Sequence, residues 1–383
     1  MPLVHLPPEL VPIIAGHLKS EIDLNCFAQT SQCLYRWVNP CLYQCAVRTM
    51  GESLLHWAAS KGQLQTLLKL LAFGAKLPAN NQNTTTDSHP ISTAATYGCV
   101  NIIDVLLDLG TDIEYPAGVH GDTPLMIAVR EGHLPVVRRL LERGANPTLP
   151  NKLDHSPLEV AIIAGSLAVT ERLISHVKDL PHTAEVDSLG RALCAAARSR
   201  QVDIVKMLLC NGAPVNYIHH QQLETALINA TRTGDNEITR LLLDHGADPM
   251  IGFETWDSPA LACAAWRNHQ SIVEMLVKKD PRVGRHFADA MVEAANLGLE
   301  DMASYFLLKG ANPDHLRSGY RTPLSCAAQH GHVGVVRVLL TAGADPEAND
   351  NHGRTPNWYA SWLGCPEVLA LLREHITPGA CQD

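Results

Sequence analysis

The feature that most constrains this chain is a pattern that returns about every 33 residues along most of its length. Its clearest copy runs from Thr322 to Pro346 and reads TPLSCAAQHGHVGVVRVLLTAGADP. Thr322-Pro323 starts a helix, because a threonine hydroxyl accepts from free backbone N–H groups and proline suits the first helical position. Leu324, Ala327 and Ala328 give that helix an apolar face, with alanine small enough to admit a close neighbour. Gly331 ends it, since glycine takes the left-handed conformation cheaply. Val335, Val336, Leu339 and Leu340 then recur at helical spacing as the stripe of a second helix, which Gly343 closes.

With the Thr322 position as marker, the unit begins at Ser53, His89, Thr123, Ser156, Arg191, Thr225, Pro259, Asp289, Thr322 and Thr355. Five residues further on stand Ala58, Ala94, Ala128, Ala161, Ala196, Ala230, Ala264, Ala294, Ala327 and Ala360, one alanine in every unit. The pattern resembles the ankyrin repeat, whose TPLHxA start and period of about 33 residues are its signature. The resemblance implies an all-α solenoid of about ten helix-turn-helix repeats over residues 46–376, with a frayed tail at 377–383.

Several units depart from the pattern. The polar stretch KLPANNQNTTTDS before His89 reads as a longer exposed loop. The unit from Ser156 loses its closing Gly-Ala, so Asp179 to Asp187 reads as an irregular connection. Arg200 and Asn268 stand where the inner glycine belongs. The early start at Asp289 shortens the preceding hairpin and makes Lys278 to Arg285 the weakest joint and a candidate bend. Asn357 replaces a core leucine, as suits an end repeat that faces water on one side.

Residues 1–45 do not fit the repeat and read as three short helices. The order LPPEL, II, L, DL and then Leu-Tyr-Arg-Trp resembles an F-box, of the F-box-like kind joined to ankyrin arrays in fungi. The family's start falls on Leu6, Pro7, Glu9 and Leu10, its central apolar positions on Ile13, Ile14 and Leu18, and its DL step on Asp23-Leu24. By that resemblance Leu6, Pro7, Leu10, Ile13, Ile14, Leu18 and Leu24 would dock on the small adaptor of a cullin-type ubiquitin ligase. The bland alternative is a helical cap that seals the first repeat. Cys26, Cys33, Cys41 and Cys45 also lie here, but without the short knuckle a zinc site needs.

A chain of 383 residues, 46% of them hydrophobic, can bury a large core. The formal charge of −9 argues against nucleic-acid binding by general electrostatics. Eleven cysteines with no CxxC pair, no signal-peptide pattern and no apolar run of membrane-spanning length predict a soluble protein of the cytoplasm or nucleus, with free thiols. No phosphate loop, HExxH or GxSxG motif is present, so the chain is expected to bind rather than catalyse and to need no cofactor or metal. The pairs His330/His332 and His219-His220 read as turn residues, the latter exposed in a hairpin.

In an ankyrin architecture the edge of the first helices lines the concave side. Seven residues after each marker, that edge reads Ser60, Thr96, Arg130, Ile163, Arg198, Arg232, Trp266, Asn296, Gln329 and Trp362, and neighbouring places add Trp57, Tyr97, Arg267 and Tyr359. An acidic chain thus offers an arginine and aromatic stripe, the residue types that dominate interface energetics. An acidic protein or peptide is the expected partner, since arginine grips carboxylates in a bidentate fork. The competing reading is that the arginines favour helix dipoles, at ~0.3–1 kcal/mol each, and that the tryptophans pack between repeats. Two functions follow: a substrate-recognition subunit of a cullin-type ubiquitin ligase, or an ankyrin scaffold with a helical cap. They differ in whether the apolar patch from Leu6 to Leu24 is left open for a partner.

Overall fold

The computed structural model describes residues 43–44, 47–48, 51–78, 89–219, 224–252, 259–316 and 321–376. Among these the secondary structure is helical, apart from isolated β-bridges joining Ala117 to Asp122 and His219 to Glu224. Leu6, Pro7, Leu10, Ile13, Ile14, Leu18 and Leu24, the loop at 79–88 and the tail at 377–383 lie outside the described residues.

The chain falls into two compact units, Met1–Ser188 and Leu189–Asp383. In the first, helix pairs 51–60 and Leu64–Ala72, Pro90–Thr96 and Val100–Asp108, Pro124–Arg130 and Leu134–Glu142, and Pro157–Ile163 and Leu167–Val177 stack in order. Helix His182–Arg198 spans the division at Ser188, and the second unit continues with Val202–Cys210, Ala226–Thr233 and Asn236–Asp244, and Pro259–Trp266 and Gln270–Lys279. It ends with Phe287–Leu297 and Glu300–Leu308, Pro323–His330 and Val333–Thr341, and Pro356–Leu363 and Pro366–Ile376. Within each unit first helices pack mainly on first helices and second on second, with Gln270–Lys279 packed on the turn Pro281–His286.

The starts and the core follow from the marker positions. Thr123, Thr225, Thr322 and Thr355 each accept an N–H three residues on, and Ser156 forms a capping box with Glu159. Ala58, Ala94, Ala128, Ala161, Ala196, Ala230, Ala264, Ala294, Ala327 and Ala360 are all 0% exposed, so each occupies the seam where helices approach most closely. Stripes such as Val136, Val137 and Leu140 bury the second helices, at about 1.5–3 kcal/mol for each fully buried large aliphatic side chain.

Three expectations are corrected. Residues 179–187 are not an irregular connection: helix His182–Arg198 runs through much of them, begun by Pro181, whose carbonyl accepts from Ala184 and Glu185 at 2.9 and 3.0 Å. This helix tolerates Gly190 because the Tyr217 ring lies where a side chain would stand, with Cγ 2.3 Å from an added Cβ. The shortened hairpin after Lys278 is not a bare connection but a short helical turn. Asp280 caps a 3₁₀ turn, Pro281–His286, that buries Val283, and Phe287 then packs against Tyr305 and Phe306. His219, expected at the surface, is buried in its bridge to Glu224. Arg200 and Asn268 do occupy the glycine position as left-handed residues, at φ 57° and 59°.

Candidate partner-binding surface

The position seven residues after the marker ends the first helix, and in all ten repeats it is half-buried or exposed. The periodicity that buries the alanines therefore turns this edge outward. Among the predicted residues, Trp57, Tyr97, Trp266 and Trp362 are exposed aromatics, and Arg130, Arg198 and Arg267 are exposed cations.

Arg130 and Arg232 have identified partners within their own repeats. Arg130 donates to Asp122, and Arg232 donates to Glu224 at 2.6 Å. In both repeats the acid directly precedes the capping threonine, and the isolated bridge at the hairpin base holds it beneath the helix end eight residues later. Asp122 also accepts from Asn151 Nδ2 at 2.7 Å. The bond to Glu224 raises the Arg232 pKa above its ordinary value. Beside it the Cys263 thiol is pushed up by burial, which makes it a packing residue rather than a nucleophile. Arg130 and Arg232 thus brace their own repeats, and the picture of an open stripe of arginines is corrected at these two positions.

In the unit Met1–Ser188 the edge forms a cleft of about 400 Å³. Tyr97 and Arg130 both line it, with Thr93, Thr96, Asp122 and Glu131. Its floor includes Ser92, a buried side chain whose Oγ has no hydrogen-bond partner. Two carboxylates against one guanidinium make the cleft polar and slightly acidic.

In the unit Leu189–Asp383 the last repeat corrects the aromatic assignment. Tyr359 is 1% exposed, so it is core, and its hydroxyl donates to Asp350 at 2.6 Å. Asp350 also accepts from the backbone of His352 and Arg354 and from Arg354 Nε. Burial pushes the Asp350 carboxyl up. The Tyr359 hydroxyl, the two backbone N–H groups and the guanidinium outweigh it and hold the carboxyl well below the usual carboxylate range. Burial and the same bond raise the Tyr359 phenol. The surface aromatic is Trp358, 42% exposed and 5.2 Å ring to ring from Trp362. Sequence reasoning missed it, although the four-residue spacing of Trp358 and Trp362 puts both on one helix face.

The histidines at the turns serve the stack. His133 Nε2 lies 2.8 Å from the Thr96 carbonyl and His332 Nε2 lies 3.1 Å from that of Asn296, each bridging to the preceding repeat. The His330 and His332 rings stack at 5.7 Å, and His330 Nδ1 meets the Cys326 carbonyl. Among the described residues no group of three or more His, Cys, Asp or Glu side chains is placed to hold a metal ion.

Residues 55–151, 193–286 and 291–381 match the family model for ankyrin repeats in three copies. The chain belongs to the ankyrin-repeat family. It is 29% identical over 263 residues to "Ankyrin repeat and KH domain-containing protein mask-1" of Caenorhabditis elegans, covering 68% of this chain and 10% of that one. It is 30% identical over 187 residues to "Ankyrin repeat protein nuc-2" of Neurospora crassa, covering 49% of this chain and 17% of the other. The chain therefore spans a small part of the length of these relatives. The solved ankyrin repeat domain of human ASB11 aligns with 57% of this chain and 96% of its own, at 31% identity and a TM-score of 0.47. An ankyrin array is a protein-protein interaction module, and that is the function class of this chain. Among the described residues no helix is long and apolar enough to cross a membrane.

Proposed function

We propose that this protein is a receptor that holds another protein on its repeat edges and presents it to a ubiquitin ligase, with no chemistry of its own. The observation that carries the capture half is the surface position of the seventh residue after the marker in every repeat, filled at several of them by arginine or tryptophan. Such side chains contribute most where a partner desolvates them. In the unit Leu189–Asp383 the exposed Arg198, Trp266 and Arg267 favour a partner that brings carboxylates. The ligase half is supported by the sequence alone: the LPPEL start and the apolar positions Leu10, Ile13, Ile14, Leu18 and Leu24 match the F-box order.

The test is co-purification of the ligase adaptor and cullin with the full chain and with Leu10→Arg and Ile14→Arg variants. Capture by the parent chain and loss in both variants, at unchanged thermal stability, is the expected result. Absence of adaptor and cullin from the parent chain refutes the ligase half and leaves a scaffold. For the capture half, Arg198→Glu combined with Arg267→Glu should lose partners that the parent chain retains without lowering the melting temperature. Undiminished retention refutes the acidic-partner reading.

A further inference from the structure

The end of the unit Leu189–Asp383 departs from the acid–arginine pairing seen at Asp122–Arg130 and Glu224–Arg232. Where Asp122 and Glu224 precede their capping threonines, the corresponding residue in the next-to-last repeat is Arg321, and the residue seven after its marker is Gln329. The neutralising pair of the earlier repeats is thereby replaced by a guanidinium bonded to a neutral amide, Arg321 to Gln329 Oε1. Among the described residues Arg321 forms no ion pair, while Arg354 has Asp350 at 2.9 Å. Both guanidiniums lie over the same buried ring, 5.3 and 5.2 Å from the centroid of Tyr359. Two cations therefore share one carboxylate around one aromatic ring. Asp350 is fully engaged by Tyr359 and Arg354, so the positive excess rests on the half-buried Arg321.

The same ring leads outward to an apolar surface. Tyr359 contacts Trp358 at 5.1 Å between centroids, and Trp358 contacts Trp362 at 5.2 Å. Trp362 is 69% exposed. Resting on the reading that the repeat edge binds protein, we propose that Arg321 and the Trp358–Trp362 pair are two ends of one docking site. Its occupant is an extended partner segment carrying a carboxylate within a few residues of a large apolar side chain. The carboxylate supplies the charge that Arg321 lacks, at a site where partial burial strengthens the pairing. The apolar side chain covers indole surface that water otherwise wets. The span of ring contacts from Arg321 to Trp362 suits residues about two to four apart in an extended chain, at about 3.3 Å each.

The probe is an array of short Gly-Ser peptides, each holding one Glu and one Phe or Trp about two to four residues apart, with a matched set carrying Gln for Glu. The full chain should be captured by the Glu set, and the Gln set should lose about tenfold or more. Arg321→Gln and Trp362→Ser should each erase that preference, whereas Arg198→Glu with Arg267→Glu should leave it in place. Trp362→Ser alters an exposed side chain and so keeps the test valid if Arg321→Gln does not fold. Equal capture by both sets, a preference that survives the substitutions, or no capture by any peptide overturns the site. A preference that persists in the Leu10→Arg variant after adaptor capture is lost separates this site from the ligase half of the proposed function.

Discussion

At Gly234 a left-handed backbone coincides with the close approach of the next repeat. It ends the helix Ala226–Thr233 in the left-handed conformation, at φ 75°. A Cβ added there would lie 2.5 Å from Cε1 and 2.6 Å from Nε2 of His269, the residue that opens the next repeat's second helix. Gly234→Ala therefore carries two costs. The left-handed backbone costs an alanine about 1–2 kcal/mol. Displacing or deforming a packed ring costs about 1–3 kcal/mol more. Gly246 supplies an internal control in the same repeat: its φ is 89°, yet nothing lies within 4 Å of an added Cβ. Gly246→Ala should show the backbone cost alone. Urea titrations followed by far-ultraviolet circular dichroism report both as shifts in midpoint at constant slope. The expected result is a midpoint for Gly234→Ala below that of Gly246→Ala by the equivalent of about 1–3 kcal/mol. Coincident midpoints would refute the claim that the glycine is kept for the approach of the histidine as well as for its own conformation.

Two further perturbations test the same logic. Arg200 holds the left-handed position at φ 57°, so Arg200→Gly should raise stability by about 1 kcal/mol, and Asn268→Gly by less because asparagine tolerates that region; the exposed Arg200–Asp235 contact at 3.3 Å offsets little of this. Acid should destabilise the unit Met1–Ser188 through His89, a buried helix cap whose pKa is lowered to about 4 by burial and by the neighbouring His56, against a smaller opposing bond with the Pro78 backbone. The unfolded chain takes its proton near pH 6.5, so the stability contributed by neutral His89 is complete above that value. It is lost as pH falls towards 4, by roughly 3 kcal/mol at the limit. His89→Thr, which restores a hydroxyl cap, should flatten the dependence of the denaturation midpoint on pH between 7 and 4, and an unchanged slope would refute it.

The repeat was legible because its burial requirement is periodic. One alanine position is 0% exposed ten times over, and no unit could lose it without losing its neighbour. Helix starts were equally legible, since threonine and serine caps act within three residues. What escaped was set by groups further apart in sequence. Tyr359, expected at the surface as a neighbour of the edge, stands one position before the alanine, as Trp57 does in the first repeat. At that same position Ile127, Val160, Ala195, Cys263 and Cys326 are all buried, Thr93 and Glu293 are half-buried, and Trp57 is exposed. Taken across the repeats, that phase places Tyr359 inside, whereas the position of Trp358, buried in earlier repeats as Met126, Ile228 and Val292, gives no sign of its exposure in the last one. The helix from His182 was missed because the absent Gly-Ala signal was read as loss of structure, whereas Pro181 restarts the helix one turn later.

The arginines pose the harder question, because residue type and phase do not by themselves distinguish a brace from a binding group. Arg130 and Arg232 share their phase with Trp362 and Gln329, and all four lie at the helix edge. Their role is decided eight residues earlier, by the side chain that precedes the cap. An acid there, Asp122 or Glu224, draws the later arginine onto its own repeat and spends its charge on the hairpin base. An arginine there, as at Arg321, finds an amide instead and keeps its charge for an outside carboxylate. The local electrostatics of the edge therefore change sign from repeat to repeat while the backbone does not. The charge of a partner that fits such an array is set by these pairs rather than by the formal charge of −9 carried by the whole chain.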